Sequence, residues 1–388
     1  MNTCEKLTHS AGRLIPLLKK HAAWSEENRR LHDEVIEGLA DAGIFKMRTP
    51  KRYGGHESPN ETLVDVAAEL GRGDGSAAWT ASVYWIPTWM AGLFPDHVQD
   101  EVFATPDVRV CGTLTPSGMA TPVPGGIKLS GRWSFISGAW HAQWQEVLAL
   151  RPTPDGGMEP IMALVPMSQL QIIDDWFTAG VRGSGSVSTV ADDLFVPAER
   201  VLSMTAVMTG QYASELNAAS PVWRVPLPAY AAAASVGTML GLARAASETF
   251  FERLPSRKIT YTAYDSQAEA PVTHLRVAEA AMKTDEAEFH AYRVARLVDE
   301  KGASGAEWSM LERVRSRLDV GAVCQLATEA IDVLARASGG SSIYSDVPIQ
   351  RIARDIHVIG MHALIHPETG FETYGRVLSG LEPNSLYV

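Results

Sequence analysis

Disulfide chemistry is the first thing this sequence excludes. Its three cysteines, Cys4, Cys111 and Cys324, are scattered over 388 residues, too sparse for a disulfide framework or a spaced zinc site. A reducing cytoplasm is the setting they imply. Positive charge is also short. Lys plus Arg number 34 against 45 Asp plus Glu, a net charge of −11, which argues against a nucleic-acid surface. The apolar run long enough to suggest a membrane span is Pro226–Ala243 (PLPAYAAAASVGTMLGLA), but it is rich in Ala and Gly, and Arg244 and Glu248 follow at once. It reads as a buried helix approached closely by its neighbours. The opening MNTCEKLTHSAGRLIPLL mixes charge into its apolar stretch and ends in no small-residue cleavage site, unlike a secretion signal. Common catalytic loops are missing as well: the chain has no helix-opening G-x-G-x-x-G, Walker lysine loop, H-E-x-x-H or G-x-S-x-G. A nucleotide cofactor would have to bind without a Rossmann unit.

What is present suits a globular protein of several sub-domains. Hydrophobic residues make up 46% and charged residues 20%, and the length exceeds the roughly 250–300 residues at which one core stops growing. Up to about residue 107 the pattern is helical. A polar stretch from Ser25 leads to Leu31, Val35, Ile36 and Leu39 on one face, and Gly43 closes that helix. Ser58 and Glu61 predict a capping box for a helix over Thr62–Gly71, with Leu63, Val66, Ala67 and Leu70 inward. Asp74-Gly75-Ser76 predicts a turn and N-cap before a Trp-rich helix. Over residues 108–202, dense turn signals (Thr115-Pro116, Pro124-Gly125-Gly126, Pro154-Asp155-Gly156-Gly157) separate short apolar runs, the spacing of an antiparallel barrel or sandwich. Residues 203–388 return to helix: Ala229–Leu254, His274–Lys301 and Trp308–Ala337 are long enough for bundle helices, with a shorter one over Val347–Ile365. The fold class expected is mostly α, α+β, with the three parts in that order.

Five blocks make this pattern specific: Gly112-Thr113-Leu114-Thr115-Pro116, Gly131–Ala139 (GRWSFISGA), Gly180–Ser186 (GVRGSGS), Gly339-Gly340-Ser341 and Arg351–Asp355 (RIARD). With Leu194-Phe195-Val196-Pro197 and the Tyr53-Gly54-Gly55 turn, they resemble the acyl-CoA dehydrogenase superfamily over essentially the whole chain. That resemblance implies a helical N-terminal domain, a central β-domain and a C-terminal four-helix bundle. It also places a hydroxyl residue, here Ser137, beside the flavin N5.

The departures matter equally. The dehydrogenase base is a glutamate nine residues after the arginine of the Arg-Asp pair; counted from Arg354 that position is Ala363, and a methyl group accepts no proton. Pro226–Leu242 supplies no substitute acid, and the Glu of the dehydrogenases' T-E-P turn is missing from Leu114-Thr115-Pro116. A histidine, His362, follows the Arg-Asp pair instead. This resembles the flavin-dependent monooxygenases built on the same fold, which hydroxylate phenols and polyketides or oxygenate amines and thiophenes. The resemblance implies reduced FMN or FAD arriving by diffusion from a separate reductase, and O2 adding at flavin C4a to give a hydroperoxide. Such a species needs an apolar, closed cavity.

On this reading His362 is the catalytic base toward a phenol or amine, since imidazole titrates in the useful range, and Ser137 holds the flavin or the hydroperoxide. Thr113, Leu114, Ser137, Arg257, Gly339, Gly340 and Ser341 are the flavin-contact candidates, with Arg257 toward a phosphate. Turn and helix-stop roles also explain the glycines of Gly180–Gly185 and Gly339-Gly340. Trp79, Trp85, Trp89 and Trp140, with Trp144, supply half of the ten tryptophans in two short segments. They are the expected aromatic walls for a small aromatic substrate, although a Trp-rich helix also suits a core. At about 100° per residue a continuous helix would put His362 and His366 on one face and His357 about 140° from His362, so no metal site is expected. A homotetramer follows by analogy. N-hydroxylation of an amine or amino sugar is the nearest alternative, which a carboxylate lining the pocket would favour; acyl-CoA dehydrogenation stands behind it.

Overall fold

In the computed structural model, which describes residues 2–385 and 387–388, the first helix opens earlier than the sequence pattern indicates. α1 (Thr3–Asn28) starts at an Asn2–Glu5 capping box, so Ser25 lies in its last turn, and it stops at Arg29 in a left-handed conformation (φ 54°). α2 (Asp33–Asp41) follows, and Gly43 takes the expected left-handed conformation (φ 75°). α3 (Asn60–Gly73) buries Leu63, Val66, Ala67 and Leu70. The expected Ser58–Glu61 box does not form. The Asp299 carboxylate, from a later helix, accepts from the Asn60 and Glu61 amides at 2.8 and 3.2 Å, satisfying across the fold the N–H groups that a local cap would have taken. α4 (Gly75–Ala91) begins where expected, with the Asp74 side chain accepting from the Ala77 amide at 2.9 Å. α5 (Asp96–Val102) completes the helical part.

The β-segment contributes β1 (Val110–Gly112), β2 (Gly118–Val123), β3 (Gly126–Ile136), β4 (Trp144–Pro152), β5 (Met158–Pro166), β6 (Gln171–Ile173), β7 (Val187–Pro197) and β8 (Val201–Ser203). They form one sheet in the order β6-β7-β3-β2-β4-β5-β8, with β1 on β4. Gly125 and Gly156, at φ 82° and 85°, turn the β2–β3 and β4–β5 hairpins, as their turn signals predict. The sheet is mixed and not purely antiparallel, because β4 pairs in parallel with both β1 and β2. β3 loses register with β7 between Trp133 and Ile136, where Phe135 is left-handed (φ 65°). A bulge of this kind re-aims the strand end, and Ser137 is the residue that follows.

After α6 (Met204–Met208), the charge-free run becomes α7 (Leu227–Arg253), buried on nearly every side. Its glycines answer to packing: a Cβ on Gly71 of α3 would sit 3.0 Å from Gly241. No helix among the described residues is long and apolar enough to cross a membrane. α8 (Pro271–Ser304) and α9 (Met310–Ala337) pack beside α7. The helix expected over 347–365 stops early, as α10 (Pro348–Ile359), and after a turn a further helix, α11 (Pro367–Leu378), follows. Pro367 disfavours helical geometry at the residue before it and fits the first turn of a new helix. The helical-wheel relation among the three histidines therefore does not hold. His357 pairs with Asp332 at 3.0 Å, His362 lies in the intervening turn, and His366 stands at the mouth of α11.

Candidate functional site

The sequence of β3 ends at a corner that α4 holds from two sides. Trp79 Nε1–H donates to Ser137 Oγ at 3.2 Å, and the Tyr84 hydroxyl donates to the Gly138 carbonyl at 2.6 Å. Gly138 has φ 75°, and any Cβ there would run into the Tyr84 ring, so only glycine fits. The Gly180–Ser186 block closes on the same corner. Ser137 Oγ lies 2.7 Å from Ser186 Oγ, Ser186 Oγ lies 2.7 Å from Ser184 Oγ, and the Ser184 hydroxyl donates to the Val181 carbonyl at 2.7 Å. Each hydroxyl has one hydrogen. A carbonyl at one end and an indole N–H at the other make every serine donate toward Val181. Ser137 therefore shows the cavity a free acceptor lone pair.

The Arg-Asp motif brings the histidine to this corner. Asp355 Oδ1 accepts from the Val181 amide at 2.6 Å, Arg354 donates to the Ala179 carbonyl at 2.6 Å, and Arg354 and Arg351 both pair with Glu26 of α1 (2.5 and 3.7 Å). α10 is thus fastened to the β-domain loop and to α1, and the turn after it delivers His362 beside Trp79, ring centroids 5.4 Å apart and edge-on. Leu364 donates its amide to His362 Nδ1 at 3.2 Å, so the neutral ring carries its hydrogen on Nε2. Burial, reinforced by the Arg317 charge, lowers the pKa of His362 to about 4, while the ring stays open to the cavity.

These groups line a cavity of about 690 Å³, within the usual size of a ligand site. Thr113, Leu114, Ser137, Trp79 and His362, all predicted, lie on its wall, as does Ala363, the dehydrogenase base position. The Tyr387 hydroxyl donates to the Leu114 carbonyl at 2.6 Å, bringing the C-terminal tail over one side.

Three predicted tryptophans are elsewhere. Trp85 and Trp89 are fully buried, with their indole N–H groups on the Ile44 and Val222 carbonyls at 2.9 and 2.8 Å. They serve the core from the sides of α4 turned away from the cavity, while Trp79, Val83 and Ile86 of the same helix line it. Trp140 is 40% exposed beside Gly185 and outside the cavity wall. Trp144 is also buried away from it. Trp176, which is not among the predicted residues, lines the cavity, with the exposed Phe135 ring edge-on at 6.0 Å.

Arg257, Gly339, Gly340 and Ser341 do come together, but apart from the cavity. Arg257 donates to Ser341 Oγ and to the Ser338 carbonyl, each at 2.6 Å, and Gly339 is left-handed (φ 70°). Arg253 lies alongside and, second to burial, lowers the Arg257 pKa.

Sequence reasoning missed Glu146, Arg317, Ser184 and Ser186. Glu146 is buried on the wall with no protein partner for either oxygen, and burial raises its pKa well above the usual carboxylate range. The serines stood in a recognised block, so a signal existed. Arg317 was one arginine among many on a long helix, and nothing local marked it. A larger groove of about 870 Å³ between α8, α9 and α11 gathers none of the predicted residues; charged pairs such as Arg293–Asp319 line it. Among the described residues, His21, His32 and Glu34 are close enough to share a metal. However, Lys20 and His21 already bond Glu34 at 2.9 and 2.8 Å, and the Glu34 amide occupies His32 Nδ1.

Comparison with known proteins agrees with this geometry. Residues 16–95 match the family model for the acyl-CoA dehydrogenase N-terminal domain, and residues 233–367 that for the C-terminal domain. The FADH2-dependent resorcinol hydroxylase oxygenase component of Rhizobium sp. (strain MTP-10005) is 31% identical over 96% of this chain and 93% of its own. The flavin-dependent monooxygenase oxygenase subunit HsaA of Mycobacterium tuberculosis is 30% identical over 97% and 95%. Among solved structures, XiaF from Streptomyces sp., in complex with FADH2 and glycerol, superposes with a TM-score of 0.92 at 29% identity, covering 98% of this chain and 97% of that one. With a histidine beside an Ala at the dehydrogenase base position, and relatives of this kind along its whole length, the chain belongs to the flavin-dependent monooxygenase oxygenase components of the acyl-CoA dehydrogenase superfamily.

Proposed function

We propose that this protein hydroxylates a small phenolic molecule with O2 and reduced FMN or FAD, the flavin diffusing from a separate reductase. The observation that carries this reading is the meeting of Trp79, Ser137 and His362 in one cavity. The donor set suits a flavin: Ser137 offers an acceptor, and Phe135, 69% exposed on the wall, offers an uncovered ring face. Bound there, reduced flavin supplies the electrons that activate O2. The residues of the chain do the rest. Ser137 orients the flavin, the apolar wall excludes water, and His362 contacts the phenolic oxygen. The relatives named for resorcinol and p-hydroxyphenylacetate hydroxylation support a phenolic substrate.

Two further parts of the reading concern assembly. α8 exposes Leu275, Met282 and Phe289 (73, 54 and 62%), at heptad spacing on one face, which favours helix packing between subunits in a homotetramer. Arg257, Gly339, Gly340 and Ser341 would then contact the flavin's phosphate end in a neighbouring subunit's site.

Glu146 favours a second reading, N-hydroxylation of an amine. Burial raises its pKa well above the usual carboxylate range, however, which disfavours the charged form that would serve as counter-ion for an ammonium. The test is to mix protein, enzymatically reduced flavin and O2 with panels of phenols and of amines. Oxygenated phenol formed in near-stoichiometric ratio to O2 consumed is the expected outcome. Hydrogen peroxide alone with every phenol, and product from an amine, would transfer the assignment to the second reading.

A further inference from the structure

The cavity wall carries a cation, Arg317, that no carboxylate among the described residues neutralises. Arg317 of α9 is 6% exposed and lies on the wall. Its guanidinium donates to the Ala363 carbonyl at 3.2 Å, Nε has no partner, and among the described residues no carboxylate pairs with it. The lining residues that ionise are Glu146, Arg317, His362, Glu372 and Tyr387. Neither oxygen of Glu146 has a protein partner and burial disfavours its charged form, and Glu372, on α11, is exposed and forms no ion pair with the arginine. An isolated buried charge is costly, and the protein would ordinarily pair it.

The neighbour of Ala363 is His362, which is neutral and donates from Nε2, so the imidazole brings a hydrogen-bond donor but no charge to the place where the phenolic oxygen sits. We propose that Arg317 holds the substrate's phenolic oxygen as the phenolate, with His362 Nε2–H as the second donor. On binding, the phenol O–H bond breaks, its proton leaves to solvent, and the electron pair stays on the oxygen between guanidinium and imidazole. No redox change is involved. The phenolate is the electron-rich form, so a charge provided by Arg317 before oxygen transfer would make His362 a positioning donor more than a proton sink. This inference rests on the phenolic reading above.

The probe is 4-nitrophenol, whose phenol and phenolate absorb at different wavelengths, titrated against the full-length protein alone and with reduced flavin under nitrogen. An opposite charge a few ångströms away lowers a pKa by about 1–3 units, so the pKa of the bound probe should fall at least about one unit below that of the free probe. Arg317→Met should return it to the free value or above and weaken phenolate binding about tenfold or more. Arg317→Lys, which keeps the charge and loses the planar fork, should retain most of the depression and serves as the folded control. If R317M keeps the depressed pKa, or the wild type binds the probe as neutral phenol, Arg317 is merely a prop for the Ala363 turn and the inference falls while the phenolic reading stands. Wild type that binds no 4-nitrophenol in either state overturns both.

Discussion

Trp79 donates its indole hydrogen to Ser137 Oγ, and the hydroxyl of Ser137 passes its own hydrogen to Ser186. The direction is fixed because Ser184 is committed to the Val181 carbonyl. Ser137 thereby accepts from the cavity and cannot donate into it without breaking the chain. N5 of a reduced flavin bears a hydrogen and N5 of an oxidised flavin does not.

The relay therefore predicts a redox preference. Ser186→Ala frees the Ser137 hydrogen to turn toward the cavity. The ratio of oxidised-flavin to reduced-flavin Kd should drop about fivefold, the worth of one hydrogen bond of about 1 kcal/mol. Anaerobic titration with each redox form measures it, and an unchanged ratio would remove the relay from the account.

His362→Ala should lower hydroxylated product about 10²–10⁴-fold, the usual loss when a positioned polar partner of the reacting group is removed. Reduced-flavin binding should stay within about twofold, and oxygen consumption should continue as hydrogen peroxide. Since the pKa of His362 lies near 4, its ring stays neutral above about pH 5.5. The wild-type rate profile should then show no limb near pH 6.5 that disappears in the variant.

Asp355 gives a stability prediction with a definite sign. Burial, with the nearby Asp74 carboxyl adding to it, raises its pKa from 3.8 to about 7, and Asp74 is itself raised to about 6. The folded state thus holds protons that the unfolded chain releases. This stabilisation is fully present below about pH 4 and is lost as pH rises toward 7. Asp355→Asn keeps an oxygen for the Val181 amide and removes the titration, so thermal unfolding measured from pH 5 to 8 should show a shallower decline than wild type. A slope equal to that of wild type would place the titration elsewhere.

Trp89→Phe separates core from pocket. It removes the hydrogen bond to the half-buried Val222 carbonyl and shrinks a fully buried ring, and should cost about 1–2 kcal/mol, read as a lower Tm, with substrate preference unaltered. A shift in substrate preference at constant Tm would restore Trp89 to the site.

Much of this protein was legible in one dimension. The α, β, α order, the α7 run, the Asp74 cap and the Gly125 and Gly156 turns all follow from interactions within a few residues. The Gly131–Ala139 block with Ala363 and His362 gave the chemistry through resemblance. What failed was decided by partners distant in sequence. The α3 N-terminus is capped by Asp299 and not Ser58, β4 joins β1 and β2 in parallel, and α10 stops at Ile359, so a turn interrupts what the histidine pattern treats as one helix. Residue type alone could not separate Trp79 from Trp85 and Trp89, since the three share one helix and differ only in what the fold places against them. Local pattern determined the order of helical and β parts, and the resemblance of the motif blocks implied a flavin-type scaffold. Only the packed structure decided that a buried guanidinium without a carboxylate partner among the described residues, Arg317, lines the same cavity as His362, because an unpaired charge becomes visible only when its possible partners have been located in space.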